Sequence, residues 1–281
     1  MPYIRILRPV NILMLALGVA LGFWLSHAPG GPAALVLPVL AAMCAAGFGN
    51  VVNDLADIAT DAISHPTRPL VAAELSRRSA KAYASLLAVL SLSCGFAASP
   101  AHGIGTLAPI VLLFGYALFF KATPLSGNIL VSALVAYGPL FGGMPGNGLH
   151  RLYVPAALAF LLNISREIVK DIQDLPGDRA AGYVTTASLA APTLKAIIAA
   201  CGALYALLVF VPFLLRDFGL TYVLVCLITV APLHTYWSVL FYRSDIRQTA
   251  GKISSLIKYE MVFGLAAMAA DGLVGLQGLK V

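Results

Sequence analysis

Long apolar runs, parted by short polar clusters, make up most of this 281-residue chain and leave few folds open to it. The runs lie near residues 11–26, 33–48, 82–98, 104–120, 129–143, 153–164, 196–215, 220–241 and 256–276. A helix needs about 20 mostly apolar residues to cross a hydrocarbon core of about 30 Å. Several runs reach that length, and others are short or interrupted by Gly and Pro, so the count is about nine. In lipid every backbone N–H and C=O must be satisfied inside the segment, which excludes open strands and leaves helices. Only 11% of the residues are charged and 60% are hydrophobic, against roughly 25% charged in a soluble domain. The expectation is an all-α integral membrane protein. Its spans would form a helical bundle, in a single domain over residues 1–281.

The basic residues orient that bundle. With Met1 inside, the Arg5/Arg8 end and the loops near residues 54–81, 121–126, 166–195 and 243–258 share one face. Of 18 Lys and Arg, only Arg151, Arg216 and Lys280 then fall on the other. An excess of Lys and Arg marks the cytoplasmic side, so the N-terminus and these loops are expected at the inner face of the plasma membrane. The net charge of +6 follows from this bias. No Lys/Arg cluster is dense enough for nucleic-acid binding. The first run reads as a retained span rather than a signal peptide, because Pro9 and Asn11 fit a cleaved leader poorly. Cys44, Cys94, Cys201 and Cys226 stand alone in apolar runs, as small buried hydrophobes do.

Seven of the 12 acidic residues crowd into two stretches. One carries Asn53, Asp54, Asp57 and Asp61. The other carries Glu167, Asp171, Asp174 and Asp178. The aspartates of the two match at a constant offset of 117, in the spacing D-x-x-D-x-x-x-D. Steps of three and four residues keep side chains on one helical face, so each stretch is expected to form an acidic row, with Pro176-Gly177 breaking the second before Asp178. The rows follow the second and sixth spans and so emerge on the same side. The halves 1–125 and 126–281 read as a diverged duplication. Gathered carboxylates repel one another unless cations neutralise them. An oxygen-only donor set suits Mg²⁺, which binds through one or two carboxylates together with substrate phosphate oxygens. Arg8, Arg68, Lys121, Arg166 and Lys170 lie nearby to meet a diphosphate.

At these residues the chain resembles the UbiA superfamily of intramembrane prenyltransferases. Both family signatures, N-D-x-x-D-x-x-x-D and D-x-x-D-x-x-x-D, are complete here. Further matches are Arg8-Pro9-x-Asn11, His65-Pro66-Thr67-Arg68-Pro69, Tyr116-x4-Lys121 and Gly127-Asn128. The run Ser165-Arg166-Glu167-Ile168-Val169-Lys170-Asp171 resembles the archaeal branch that makes geranylgeranylglyceryl phosphate ethers. The resemblance implies a bundle of about nine helices around a central cavity, and Mg²⁺ as cofactor, with Asn53, Asp57, Asp174 and Asp178 as its ligands. It implies Asp54, Asp61 and Asp171 as supporting groups or the acceptor base, and Arg8, Arg68, Lys121 and Lys170 on the diphosphate. Asn11, Tyr116 and Arg166 would contact substrate. Its implied partners are a polyprenyl diphosphate, a lipophilic acceptor (a glycerophosphate ether lipid or an aromatic ring) and membrane lipid. Leu70-Val71-Ala72-Ala73 departs from the Ile-Pro-Ser-Gly of many relatives, and this bears on the choice of acceptor.

The chemistry expected is ionisation of an allylic diphosphate, with cations stabilising the leaving group and an apolar cavity keeping water from the carbocation. Tyr116, Phe119, Phe120 and Tyr137 are aromatic candidates for cation–π contact, against a default of ordinary packing. Capture of the cation within the substrate, as in a terpene cyclase, is the alternative on the same fold. A cation-coupled transporter also uses intramembrane carboxylates, but its sites lie near the midplane, whereas these rows lie at span ends. The D-G-x-x-A-R signature of lipid-head-group phosphotransferases is missing. His65 reads as a loop residue and His234 as a hydrogen-bonded structural histidine.

Overall fold

The structure is a computed structural model that describes residues 1–116 and 123–278, with side chains through residue 274. It is helical, with no strand among the described residues. A short α1 (Pro2–Ile6) leads into α2 (Pro9–Leu25), α3 (Gly31–Ala56) and α4 (Ile58–Ser64). Then come α5 (Arg77–Ala98), α6 (Pro100–Gly115), α7 (Ser126–Gly143) and α8 (Tyr153–Ala180). The chain ends with α9 (Ala191–Leu208), α10 (Val211–Leu214), α11 (Leu220–Val225), α12 (Ala231–Arg243) and α13 (Ile246–Gly278).

Local sequence sets the helix ends. Ser76 caps α5 by accepting from Ser79 N at 3.0 Å, and Ser99 caps α6 by accepting from His102 N at 3.1 Å, as hydroxyl N-caps do. Gly30 and Gly31 turn the chain at positive φ where α3 begins, a conformation that costs glycine least.

By length and composition, 6 helical stretches among the described residues can cross a membrane: Gly31–Ala56, Arg77–Ala98, Leu149–Ala180, Ala191–Leu214, Leu220–Arg243 and Ile246–Val274. The apolar α2 and α6 have 17 and 16 residues, about 25 Å of helix, and fall short of that measure. The exterior is apolar: Ile104 is 67% exposed, and Leu207 and Ile228 are 72% exposed each. Meanwhile Asp54, Asp61, Glu167 and Glu260 are buried. Such an inside-out distribution suits lipid rather than water.

The helices approach closely where they lack side chains. Gly18 and Gly22 of α2 face Gly138 and Gly142 of α7, each pair four residues apart. A Cβ at Gly22 would strike the Pro139 carbonyl, and one at Gly142 the Val19 carbonyl. Small residues at this spacing let membrane helices pack backbone to backbone. Beyond this pair, α3 packs along α5, α8 lies against α7 and α13, and α4 crosses α8. The last contact positions the site.

Two sequence expectations about helix continuity are corrected. The second acidic row is unbroken, because α8 runs through Pro176 and Gly177 to Ala180. Its final turns are held against α4, where a Cβ at Gly177 would come 2.5 Å from Ser64 Oγ and the Thr60 carbonyl. The break lies in the first row instead. Asp57 separates α3 from α4 at φ −95, ψ 3, in the sparsely allowed bridge region common among active-site residues. The bend keeps its hydrogen bonds, Asp57 N to Asn53 O at 3.0 Å and Asp61 N to Asp57 O at 2.8 Å.

Candidate active site

The two acidic rows meet at one end of the bundle. His65 Nε2 lies 2.8 Å from Asp174 Oδ1, and Ser64 Oγ donates to the Asp174 carbonyl at 3.3 Å. The end of α4 is thereby tied to α8. Asn53, Asp57 and Asp61 on one side, and Asp171, Asp174 and Asp178 on the other, line one cavity of about 360 Å³. Asn11, Tyr116, Arg166, Lys170, Arg8 and Arg68 line it too. Of the described residues expected from sequence to serve metal, diphosphate, substrate or base, Asp54 alone lies behind the wall, and Lys121, with Phe119 and Phe120, falls outside the described residues.

Asp54 organises the cations of the mouth. It is 3% exposed and accepts from Arg8 Nη2 at 2.5 Å and Arg68 Nη1 at 3.5 Å. Arg68 also donates to Asp61 Oδ2. Burial pushes the Asp61 carboxyl above the usual carboxylate range, and the Arg68 guanidinium opposes that shift. Arg8 adopts left-handed backbone angles, φ 55 and ψ 65, immediately before Pro9. A non-glycine residue there is strained. It is held by its bond to Asp54 and by Asn50 Nδ2 donating to the Leu7 carbonyl at 2.7 Å. Arg5 bonds Glu74 at 2.8 Å and the Thr67 carbonyl at 2.6 Å, which pins α1 to the loop carrying Arg68.

On the opposite wall Asp171 accepts from Asn128 Nδ2 at 3.0 Å, and Asn128 Oδ1 in turn accepts from Thr186 Oγ1. Asn53 Nδ2 donates to Asp57 Oδ2 at 2.8 Å. Glu167 accepts from Arg166 Nη1 at 3.0 Å and Lys170 Nζ at 2.8 Å. Among the described residues no three His, Cys, Asp or Glu side chains close on one point. Donors instead face each other across the mouth as amide and carboxylate oxygens, a set that fits a hard divalent ion shared with an anionic substrate.

Below this mouth the cavity turns apolar, lined by Ile12, Leu134, Leu158, Leu162 and Met268. Tyr137 lines it and donates to the Gly105 carbonyl at 3.1 Å. Two charged lining residues were missed in the sequence. Lys258 and Glu260 come from α13, and their signal was one of cost, since charges in a spanning helix are rarely idle. His234 is structural as expected: Nδ1 lies 2.9 Å from Glu260 Oε1, while Trp237 Nε1 donates to Glu260 Oε2 at 2.5 Å.

Apolar outer surface, buried carboxylates and a polar mouth over an apolar cavity define a multi-pass membrane protein built to hold an amphiphilic anion. Comparison with known proteins makes this specific. Residues 14–258 match the UbiA prenyltransferase family, and the chain belongs to that family. The digeranylgeranylglyceryl phosphate synthase of Methanobrevibacter smithii is 32% identical, with 95% of this chain and 96% of that protein aligned. The synthase of the same name from Methanopyrus kandleri is 35% identical, over 96% and 98%. A solved structure of digeranylgeranylglyceryl phosphate synthase superposes with a TM-score of 0.76 at 25% identity, covering 96% and 97%. A UbiA homologue from Archaeoglobus fulgidus, bound to DMAPP and Mg²⁺, shares the fold with a TM-score of 0.67 at 22% identity, covering 96% and 99%.

Proposed function

We infer that this prenyltransferase moves a prenyl group from a polyprenyl diphosphate to a glycerophosphate ether lipid in a Mg²⁺-dependent reaction. The observation that carries the reading is the tie between His65 and Asp174, which supports a single anion site between the two acidic rows. Identity above 30% to digeranylgeranylglyceryl phosphate synthases along nearly the whole chain supports the acceptor class.

In this reading Asn53, Asp57, Asp174 and Asp178 hold Mg²⁺. Bound there, the metal supplies positive charge against the departing diphosphate. Arg8 and Arg68, oriented by Asp54, grip diphosphate oxygens together with Lys121 and Lys170. Asn11, Tyr116 and Arg166 contact the substrates near the reacting carbon. The prenyl tail runs down the apolar cavity, whose walls keep water from the allylic cation until the acceptor hydroxyl attacks. In the same reading Asp171 or Asp61 takes the hydroxyl proton. Asp54, behind the wall, serves by positioning the two guanidinium groups.

The same reading puts nine spans in one domain of two diverged halves, with the N-terminus and the mouth facing the cytoplasm at the plasma membrane. The excess of Lys and Arg at the site end supports that orientation.

The test is a screen of purified protein with C10 to C20 prenyl diphosphates against geranylgeranylglyceryl phosphate and 4-hydroxybenzoate. The expected result is Mg²⁺-dependent prenylation of the glycerophosphate lipid. Diphosphate release that needs no acceptor would instead indicate a cyclase and overturn the reading.

A further inference from the structure

Arg166, Glu167 and Lys170 on α8 and Lys258 on α13 form a second charged patch on the cavity wall. Lys258 lies close enough to Arg166, Lys170 and Arg8 to feel their charges. Among the described residues Glu167 is the carboxylate bonded to this group, accepting from Arg166 and Lys170, and Asp171 and Asp174 lie close enough to feel the charge of Lys170. With Lys170 set against those aspartates, Glu167 is left to answer both Arg166 and Lys258, one carboxylate for two cations. Arg8 adds none to that surplus, since it is matched by Asp54.

Two further observations show that the protein leaves this patch incomplete. Arg166 is 9% exposed, and its buried Nε has no hydrogen-bond partner among the described residues. A charged donor buried without an acceptor is costly, so a native structure keeps one for a reason. Lys258 enters no ion pair among the described residues, although it stands half-buried in a membrane-spanning helix. Cations in such a place are rare and mark binding sites.

We propose that Arg166 and Lys258 bind the phosphate monoester at the head of the acceptor lipid, apart from the aspartate rows that take the prenyl diphosphate. A phosphate monoester carries about −1.5 to −2 at neutral pH, an anion that this excess of positive charge attracts. It also presents several acceptor oxygens to a guanidinium Nε–H and an ammonium. The site anchors the acceptor head beside the mouth while its chain lies among the apolar helices, so the free glycerol hydroxyl is held toward the reacting carbon. The inference rests on the acceptor class proposed above and assigns residues to it.

The test is steady-state kinetics of the purified full-length enzyme with Mg²⁺ and geranylgeranyl diphosphate, varying either geranylgeranylglyceryl phosphate or the same lipid lacking phosphate. Lys258→Gln should raise KM for the phosphorylated acceptor about tenfold or more, the loss expected for a charge-assisted hydrogen bond. KM for geranylgeranyl diphosphate should stay within about twofold, and Lys258→Arg should restore the acceptor KM. The phosphate-free lipid should be a poor substrate, used equally by wild type and Lys258→Gln. A thermal midpoint equal to wild type keeps the variant interpretable, and Lys258→Met serves as a second truncation should Lys258→Gln misfold. A raised KM for the diphosphate, or an unchanged acceptor KM, overturns the assignment while leaving the acceptor class standing. A wild-type enzyme inert toward the phosphorylated lipid removes the acceptor class and this site together.

Discussion

His65 Nε2 and Asp174 Oδ1 lie 2.8 Å apart although 109 residues separate them in the chain. The loop after the first acidic row is thereby fastened to a proposed metal ligand in the second. Groups that hold a ligand's other atoms typically matter 10–100-fold to metal affinity or activity. His65→Ala should therefore raise the Mg²⁺ concentration for half-maximal turnover by about tenfold, with the protein still folded. A magnesium titration checks this, and an unchanged curve would assign His65 to the loop alone.

The α2–α7 contact makes a different kind of prediction. At Gly142 an added methyl meets the backbone carbonyl of Val19 rather than a movable side chain. Gly142→Ala should cost about 1–3 kcal/mol, as overpacking does, and lower the thermal midpoint in detergent. Gly264→Ala, whose Cβ would meet nothing within 4 Å, should not. Equal midpoints for the two variants would mean that the helices separate without strain.

Much of this arrangement could be read from spacing alone. The matched aspartates, Arg8, Arg68 and Arg166 announced themselves because charge is so scarce here that each one needs a reason. Helix continuity was harder. Pro176-Gly177 looks like a stop signal locally, but packing of Gly177 on α4 overrides it, while nothing local around Asp57 marks a bend. Lys258 and Glu260 were illegible for another reason. They sit two residues apart where α13 passes from its polar first turns into its apolar run, and only the meeting of α13 with α8 and α12 turns one toward the mouth and the other toward His234 and Trp237. Span length was also misjudged where a helix outruns its apolar stretch, as α8 does in carrying the second row.

Glu260 tests that buried tie. Fully buried, it accepts from Trp237 and bonds His234, and hydrogen bonds to charged groups contribute about 1.5–3 kcal/mol each. Glu260→Ala should lower stability by about that amount or more, and denaturant unfolding followed by Trp fluorescence reads it. A variant as stable as wild type would show that the α12–α13 contact holds without the carboxylate.

Arg8 and Arg68 share Asp54, so removing that carboxylate should disturb both at once. Asp54→Ala is expected to raise KM for the prenyl diphosphate about tenfold and to leave the Mg²⁺ requirement unchanged. A shift in Mg²⁺ dependence would place Asp54 among the metal ligands instead.

Binding of an unreactive prenyl thiodiphosphate to purified protein, measured by calorimetry with and without Mg²⁺, bears most directly on the pairing of the two acidic rows. Wild type should bind it only when Mg²⁺ is present. Asp57→Ala and Asp174→Ala, one from each row, should each abolish binding and turnover while keeping the wild-type thermal midpoint. Full affinity in either variant, or equal affinity without Mg²⁺, would contradict a diphosphate held between the rows.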